Sequence, residues 1–326
     1  MNNRAVVLSI GNLNLDIYVK TDVIPRPDES VDAYEAYMGG GGSAANFAVA
    51  VARLGIKSRF LGSVGNDQLG EMLIRELESE GVDTRFIKRL SHERTGTVIV
   101  IVGLDGSKRM IRYAGANLGL TPDDITKDVI DGVSHVHVAL GRTEIIEAAK
   151  RIAKPMGLSI SVDGGTPLAR KGLDVIKDVV DGVDVWFMNS FEARELGHSD
   201  NVVKAAENIV SRVRVRELII TLGPRGALLF RDGEVKYSDA FKVSPVDTTG
   251  AGDTFAAAYI VATLLDLDPM DKLVFANAVA SLKVARKGAR SSPRMREVLD
   301  FLESLGYTKL VREIRDRLSN AMEKLI

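Results

Sequence analysis

The sequence has no cysteine, which excludes disulfides, thiolate metal centres and a cysteine nucleophile. Gln68 is its only glutamine, while charged residues make up 27% of the chain. Few thermolabile side chains beside many ion-pairing ones mark a heat-adapted composition. Charge of one sign is lacking too. The formal net charge is −1, so nothing points to a nucleic-acid partner. No apolar run reaches membrane-spanning length, and the first one, residues 5–10, is too short for a signal peptide. A cytoplasmic protein with neither membrane nor nucleic-acid contacts is expected. At 326 residues, the chain suits one large α/β domain with a small attachment.

Residues 5–10 end at Gly11 and read as a buried parallel strand. A glycine run at 39–42 feeds a helix that stops at Gly55. A strand over 58–64 and an amphipathic helix over 68–81 follow. From Thr121, strands near 134–140, 158–163, 184–188 and 217–222 alternate with helices, the rhythm of a parallel sheet covered on both faces. Residues 235–243 are expected to pair with 227–231 as a hairpin. Helices at about 253–266, 270–287 and 294–304, then a charged one, close the chain.

Two segments break this rhythm. Residues 16–38 alternate loosely around Pro25 and Pro27, and 97–113 read as a hairpin with a type I′ turn at Asp105-Gly106. We therefore expect a doubly wound, mostly parallel α/β core from 1–12, 39–94 and 116–326. A small β sheet from 13–38 and 95–115 would lie over it, as a functional lid or as a plain edge sheet.

The chemistry concentrates at 247–253, Asp-Thr-Thr-Gly-Ala-Gly-Asp, which runs into an apolar helix. The first N–H groups of a helix are unpaired and carry the positive end of its dipole. A glycine-rich entry lets an anion approach them. Asp253 beside such a hole is either an ordinary N-terminal cap or a base placed where a phosphoryl group is transferred. Neither Gly-x-Gly-x-x-Gly after the first strand nor Gly-Lys-Ser/Thr occurs, which removes a dinucleotide fold and a P-loop enzyme.

Four more segments extend the pattern: Gly11-Asn-Leu-Asn14-Leu-Asp16, Gly41-Gly42-Ser-Ala-Ala-Asn46, Asn189-Ser-Phe-Glu192 and Thr221-Leu-Gly223-Pro-Arg-Gly226. With 247–253, in this order, the chain resembles the ribokinase-like (PfkB) family of carbohydrate and nucleoside kinases. The resemblance implies transfer of the ATP γ-phosphate to a sugar hydroxyl. It makes Asp253 the base, with the amides of Gly250, Ala251 and Gly252 as the anion hole. Asn14, Asp16, Gly41, Gly42 and Asn46 would bind substrate, and Thr221, Gly223, Gly226 and Asn277 the nucleotide. Asn189 with Glu192 would meet phosphate and orient Mg²⁺ through its waters, or simply cap the next helix. K⁺ is a further candidate ion, surrounded by Asp247, Ser292 and carbonyls of Thr249, Lys283, Arg286 and Gly288. The lid sheet is the candidate surface for a homodimer.

The acceptor stays open among a sugar, a nucleoside and a 2-keto-3-deoxygluconate-type sugar acid. A sugar sensor that keeps the fold without catalysis is the alternative outside enzymes. Where ribokinase has a sugar-binding glutamate, this chain has Gly141, which removes an acceptor group and is expected to open space. Lys108, Arg109 and Arg112 on the hairpin either favour an acidic substrate or are solvated. His135 and His137 alternate near a strand end, where a metal pair or ordinary polar packing would account for them.

Overall fold

The computed structural model describes residues 5–104 and 108–323. Its largest unit is a nine-stranded sheet. From one edge it runs Glu234–Ser238, Ala227–Arg231, Glu217–Thr221, Val185–Asn189, Ser159–Val162, Val133–Ala139, Val6–Gly11, Lys57–Leu61 and Val82–Asp83. The strands from Glu217–Thr221 onward are mutually parallel, and the first two form an antiparallel hairpin at the edge. The inner strands are apolar on both faces because helices cover both. Ser43–Arg53, Ala251–Leu264 and Pro269–Val284 pack on one face around Phe47, Phe255, Tyr259 and Phe275. Thr143–Ala153, Leu173–Val180, Ser190–Gly197 and Val202–Val210 cover the other. Ala251–Leu264 is buried all round from Thr254 to Ala262, as expected of a helix lacking a polar face.

The two interrupting segments meet in a second sheet of four strands, Ala33–Gly41, Asn14–Thr21, Thr97–Val102 and Lys108–Tyr113. Asn14–Thr21 pairs in parallel with Thr97–Val102, Asp16 lying opposite Val98. Strand alternation gives this sheet two distinct faces. Asp16 and Tyr18 share one face with Tyr37 and Gly39; Met38, Ile17, Ile99 and Ile111 line up across the other. The turn expected at Asp105-Gly106 falls outside the described residues.

The expected hairpin is corrected. The hairpin strand spans Glu234–Ser238 and not 235–243. Beyond Ser238 the chain leaves the sheet, because Phe241 packs edge-on against Phe301 and Tyr307, at 5.4 and 5.7 Å between centroids. Residues 240–245 thereby become the wall of a cavity.

His135 and His137 are buried inside the main sheet. Both rings hydrogen-bond the Ser161 hydroxyl at 2.7 Å, and His137 stacks on Phe47. Burial holds both imidazoles well below their ordinary value, so they are neutral packing elements.

Candidate active site

Parallel strands of one sheet end on the same edge, and there the motif residues converge. Gly11 lies opposite Ala139 and Asn189 opposite Thr221, each pair closing its ladder. Ligands bind outside such carboxyl ends in open α/β sheets. The small sheet projects from this edge, since Asn14–Thr21 begins three residues after Gly11.

Gly250 caps the helix Ala251–Leu264 with φ 77°. A Cβ there would overlap the Ala289 carbonyl, so only glycine permits this turn. Asp253 sits in the first helical turn and is not the N-cap. It faces away from its own backbone, accepting a hydrogen bond from the Asn46 amide at 2.7 Å and another from the Ser43 side chain. Burial pushes its carboxyl up to about 6, opposed by Asn46, Ser43 and the Lys283 charge.

Asp16 reaches the same space from the small sheet. Burial pushes its carboxyl up to about 6, with Arg290 opposing and Asp253 adding. Its Oδ1 is buried and has no hydrogen-bond partner. Gly41 lies opposite Asn14, and a Cβ on it would overlap the Asp16 carboxylate. Gly42, at φ 100°, turns the strand into the helix that carries Ser43 and Asn46.

The remaining residues divide into three groups. Thr221, Gly223, Gly226 and Asn277 line one cavity of about 740 Å³ together with Ala251 and Gly252. Asn277 donates to the Ser238 carbonyl at 3.1 Å, fixing its amide at the wall. Asn189 and Glu192 form a reciprocal capping box on Ser190–Gly197. Glu192 is buried, and its second oxygen accepts from the Thr166 hydroxyl at 3.1 Å. Asp247 accepts the amides of Thr249 and Gly288, at 2.9 and 3.1 Å. Arg286 turns outward to pair with Glu297, while Ser292 is buried.

Several contributors carry no local sequence signature. Arg290 is buried between the elements; it donates to the Gly41 carbonyl at 2.7 Å and pairs with Glu76 at 3.2 Å. Asn117 donates to Asn14 at 2.6 Å and accepts the Leu13 amide at 3.0 Å, holding the segment of Asn14 and Asp16 in place. Asp163, at the end of its strand, is pushed up to about 8 by burial and then by the Glu192 and Asp253 charges. Lys287 places its ammonium 4.0 Å over the Tyr37 ring, joining the loop before Arg290 to the small sheet.

Position 141 differs from expectation. A Cβ on Gly141 would meet Pro167 at 2.8 Å and the Gly164 carbonyl at 3.0 Å. The segment Gly165–Ala169 fills the space that a missing glutamate suggested was open.

A carboxylate in the first turn of a helix with a glycine-rich entry, beside a cavity of nucleotide size, fits a phosphotransferase acting on a small hydroxylated molecule. The family model described as pfkB family carbohydrate kinase matches residues 4–295. An ATP-dependent ribose-1-phosphate kinase from Halopiger xanaduensis is 32% identical over 91% of this chain and 97% of its own. Arabidopsis thaliana ribokinase, solved with ribose and ATP, superposes with a TM-score of 0.82 at 27% identity, covering 93% of this chain and 99% of that one. An E. coli protein solved with ATP and Mg²⁺ gives 0.79 at 26% identity, over 92% and 99%. The chain belongs to the pfkB family of carbohydrate kinases, and it is an ATP-dependent sugar kinase of the ribokinase type.

Proposed function

We propose that this kinase phosphorylates a hydroxyl of a pentose-class sugar, free or already carrying a 1-phosphate, with ATP and Mg²⁺ as donor. The observation that carries the acceptor is the buried, unpartnered Oδ1 of Asp16. A buried carboxylate oxygen without a donor is costly, and a sugar hydroxyl supplies the missing hydrogen bond. Asn14, Asn46 and the close backbone at Gly41 and Gly42 complete a polyol site. The absence of extra room at Gly141 favours a compact sugar over a nucleoside. The named acceptors of the relatives, ribose and ribose 1-phosphate, support the same class.

In this reading Asp253 takes the proton of the attacking hydroxyl, and the amides of Gly250, Ala251 and Gly252 hold the charge of the transferred phosphoryl group. Thr221, Gly223, Gly226 and Asn277 bind the nucleotide, whose size suits the 740 Å³ cavity. The Glu192 and Asp253 charges add to burial in raising the Asp163 carboxyl. Such a cluster fits a divalent cation. Among the described residues no three His, Cys, Asp or Glu side chains are grouped to hold one directly. Phosphate and water would therefore supply most of its ligands, with Asn189 and Glu192 orienting them.

The small sheet acts as the lid, because its inner face carries Asp16 over Asp253. Its outer apolar row is offered to a second copy of the chain, forming a homodimer in the cytoplasm. Among the described residues no helix is long and apolar enough to cross a membrane.

ATP consumption measured over pentoses, pentose phosphates, hexoses, keto-deoxy acids and nucleosides tests the acceptor. The best substrate should be a pentose or pentose phosphate. Removing the hydroxyl paired with Asp16 should cut kcat/KM about a hundredfold or more, because a site built for hydroxyls rejects analogues lacking them. A nucleoside or sugar acid as best acceptor would overturn the assignment.

A further inference from the structure

Family resemblance implies a K⁺ ion beneath the anion-binding turn, coordinated by Asp247 and the loop 283–292. The local chemistry offers that ion little. Lys283 is 0% exposed, and its Nζ donates to the Asp247 carbonyl at 2.8 Å. Burial works to raise the Asp247 carboxyl. The Thr249 hydrogen bonds, the Lys283 charge and the Gly288 amide outweigh it and hold the group below its ordinary value. The same ammonium also works to lower the Asp253 carboxyl, six positions beyond the Asp247 carbonyl that it binds.

Two further carbonyls of the implied cage are engaged from within the loop. The Lys283 carbonyl accepts the Arg286 amide at 3.0 Å. The Gly288 carbonyl accepts the Ser291 hydroxyl at 2.8 Å. The Ser292 hydroxyl is buried without a hydrogen-bond partner, but a neutral hydroxyl does not by itself replace the water shell of a bare cation. A second cation here would also be repelled by the ammonium, in surroundings that screen charge poorly.

We propose that the Lys283 ammonium takes the place of the monovalent metal ion, neutralising Asp247 and bracing the turn that ends in Gly250, so that the enzyme works without K⁺. Lys283 is here a positioning residue. It braces Asp247, three residues before the anion-hole glycine, and touches no reacting atom. A covalently tethered cation suits this task, because it is present at any salt composition and loses no translational entropy on binding. The inference rests on the kinase reading for its rate prediction, but not for its stability prediction.

The test compares kcat and Tm in K⁺, Na⁺ and tetramethylammonium chlorides at fixed ionic strength, for the wild type and Lys283→Met. Wild-type values should be the same in all three salts. Lys283→Met should lose about tenfold or more of kcat in the organic salt. K⁺ should restore most of that loss and raise the variant's Tm, since a ligand binding only the folded state stabilises it. If Lys283→Met does not fold, Lys283→Arg keeps a cation in place and should stay K⁺-insensitive. A wild type whose rate or Tm rises with K⁺ overturns the proposal. So does a Lys283→Met variant that matches the wild type in tetramethylammonium. The expected Tm pattern in a preparation without kinase activity would support the ammonium site and count against the kinase reading.

Discussion

The Asn46 amide donates to the Asp253 carboxylate at 2.7 Å, joining the first helix to the helix Ala251–Leu264, 207 residues further on. The contact aims the carboxylate out of its own helix and into the cleft. Asp253→Asn should therefore lower kcat by about a hundredfold or more, since loss of a general base costs at least that. The KM for ATP should change little, because the carboxylate acts mainly in the transition state. Steady-state kinetics with ATP varied at saturating sugar measure this, and a variant keeping near wild-type kcat would remove Asp253 from the mechanism.

The same contact sets a pH dependence. A base must be deprotonated to act, and burial has raised Asp253 to about 6. Activity should fall as pH drops through that value, with Asp16 titrating in the same range and coupled to it. Asn46 stabilises the charged form, so Asn46→Ala should move the acidic limb of the kcat/KM profile to higher pH. A limb that stays in place would show that Asn46 does not tune the base.

Asp163 offers a test by stability. Its carboxyl rises from an ordinary 3.8 to about 8 in the folded chain, so the folded state holds the proton more tightly than the unfolded one. The sign follows by linkage: this group's contribution is fully present below the ordinary value and is lost as pH rises through the folded one. Asp163→Asn escapes that loss. In Mg²⁺-free buffer its Tm should exceed the wild type's above about pH 8, and the difference should vanish near about pH 4. Thermal melts at the two pH values decide it, and a gap that widens in acid would contradict the burial argument.

The outer row of the small sheet predicts assembly. Met38 and Ile111 are exposed at its two ends, with Ile17 and Ile99 between them in register. A row of this kind on a monomer is a poor use of apolar surface unless it is covered. Ile111→Arg should shift the chain from dimer to monomer in sedimentation velocity while leaving the far-UV spectrum unchanged. A wild type that sediments as a monomer at micromolar concentration would exclude the lid dimer.

The sequence by itself determined the parallel core, the order of the motifs and the glycine turn at the entry of Ala251–Leu264. These are local matters. Strand periodicity, a glycine that must adopt φ 77° at position 250 and a carboxylate three residues later are all written in contiguous residues. Tertiary structure alone decided what gathers around them. Arg290 binds the Gly41 carbonyl across 249 positions, Asn117 holds Asn14 across 103, and Lys283 holds Asp247 across 36. A basic or amide side chain in a loop reads as solvated until the fold buries it. It also decided that the gap suggested by Gly141 is closed, because the segment around Pro167 packs into it. Motif chemistry lies in backbone turns of a few residues, which one stretch of sequence can specify. Charge pairing and shape depend on side chains that meet only when distant segments pack.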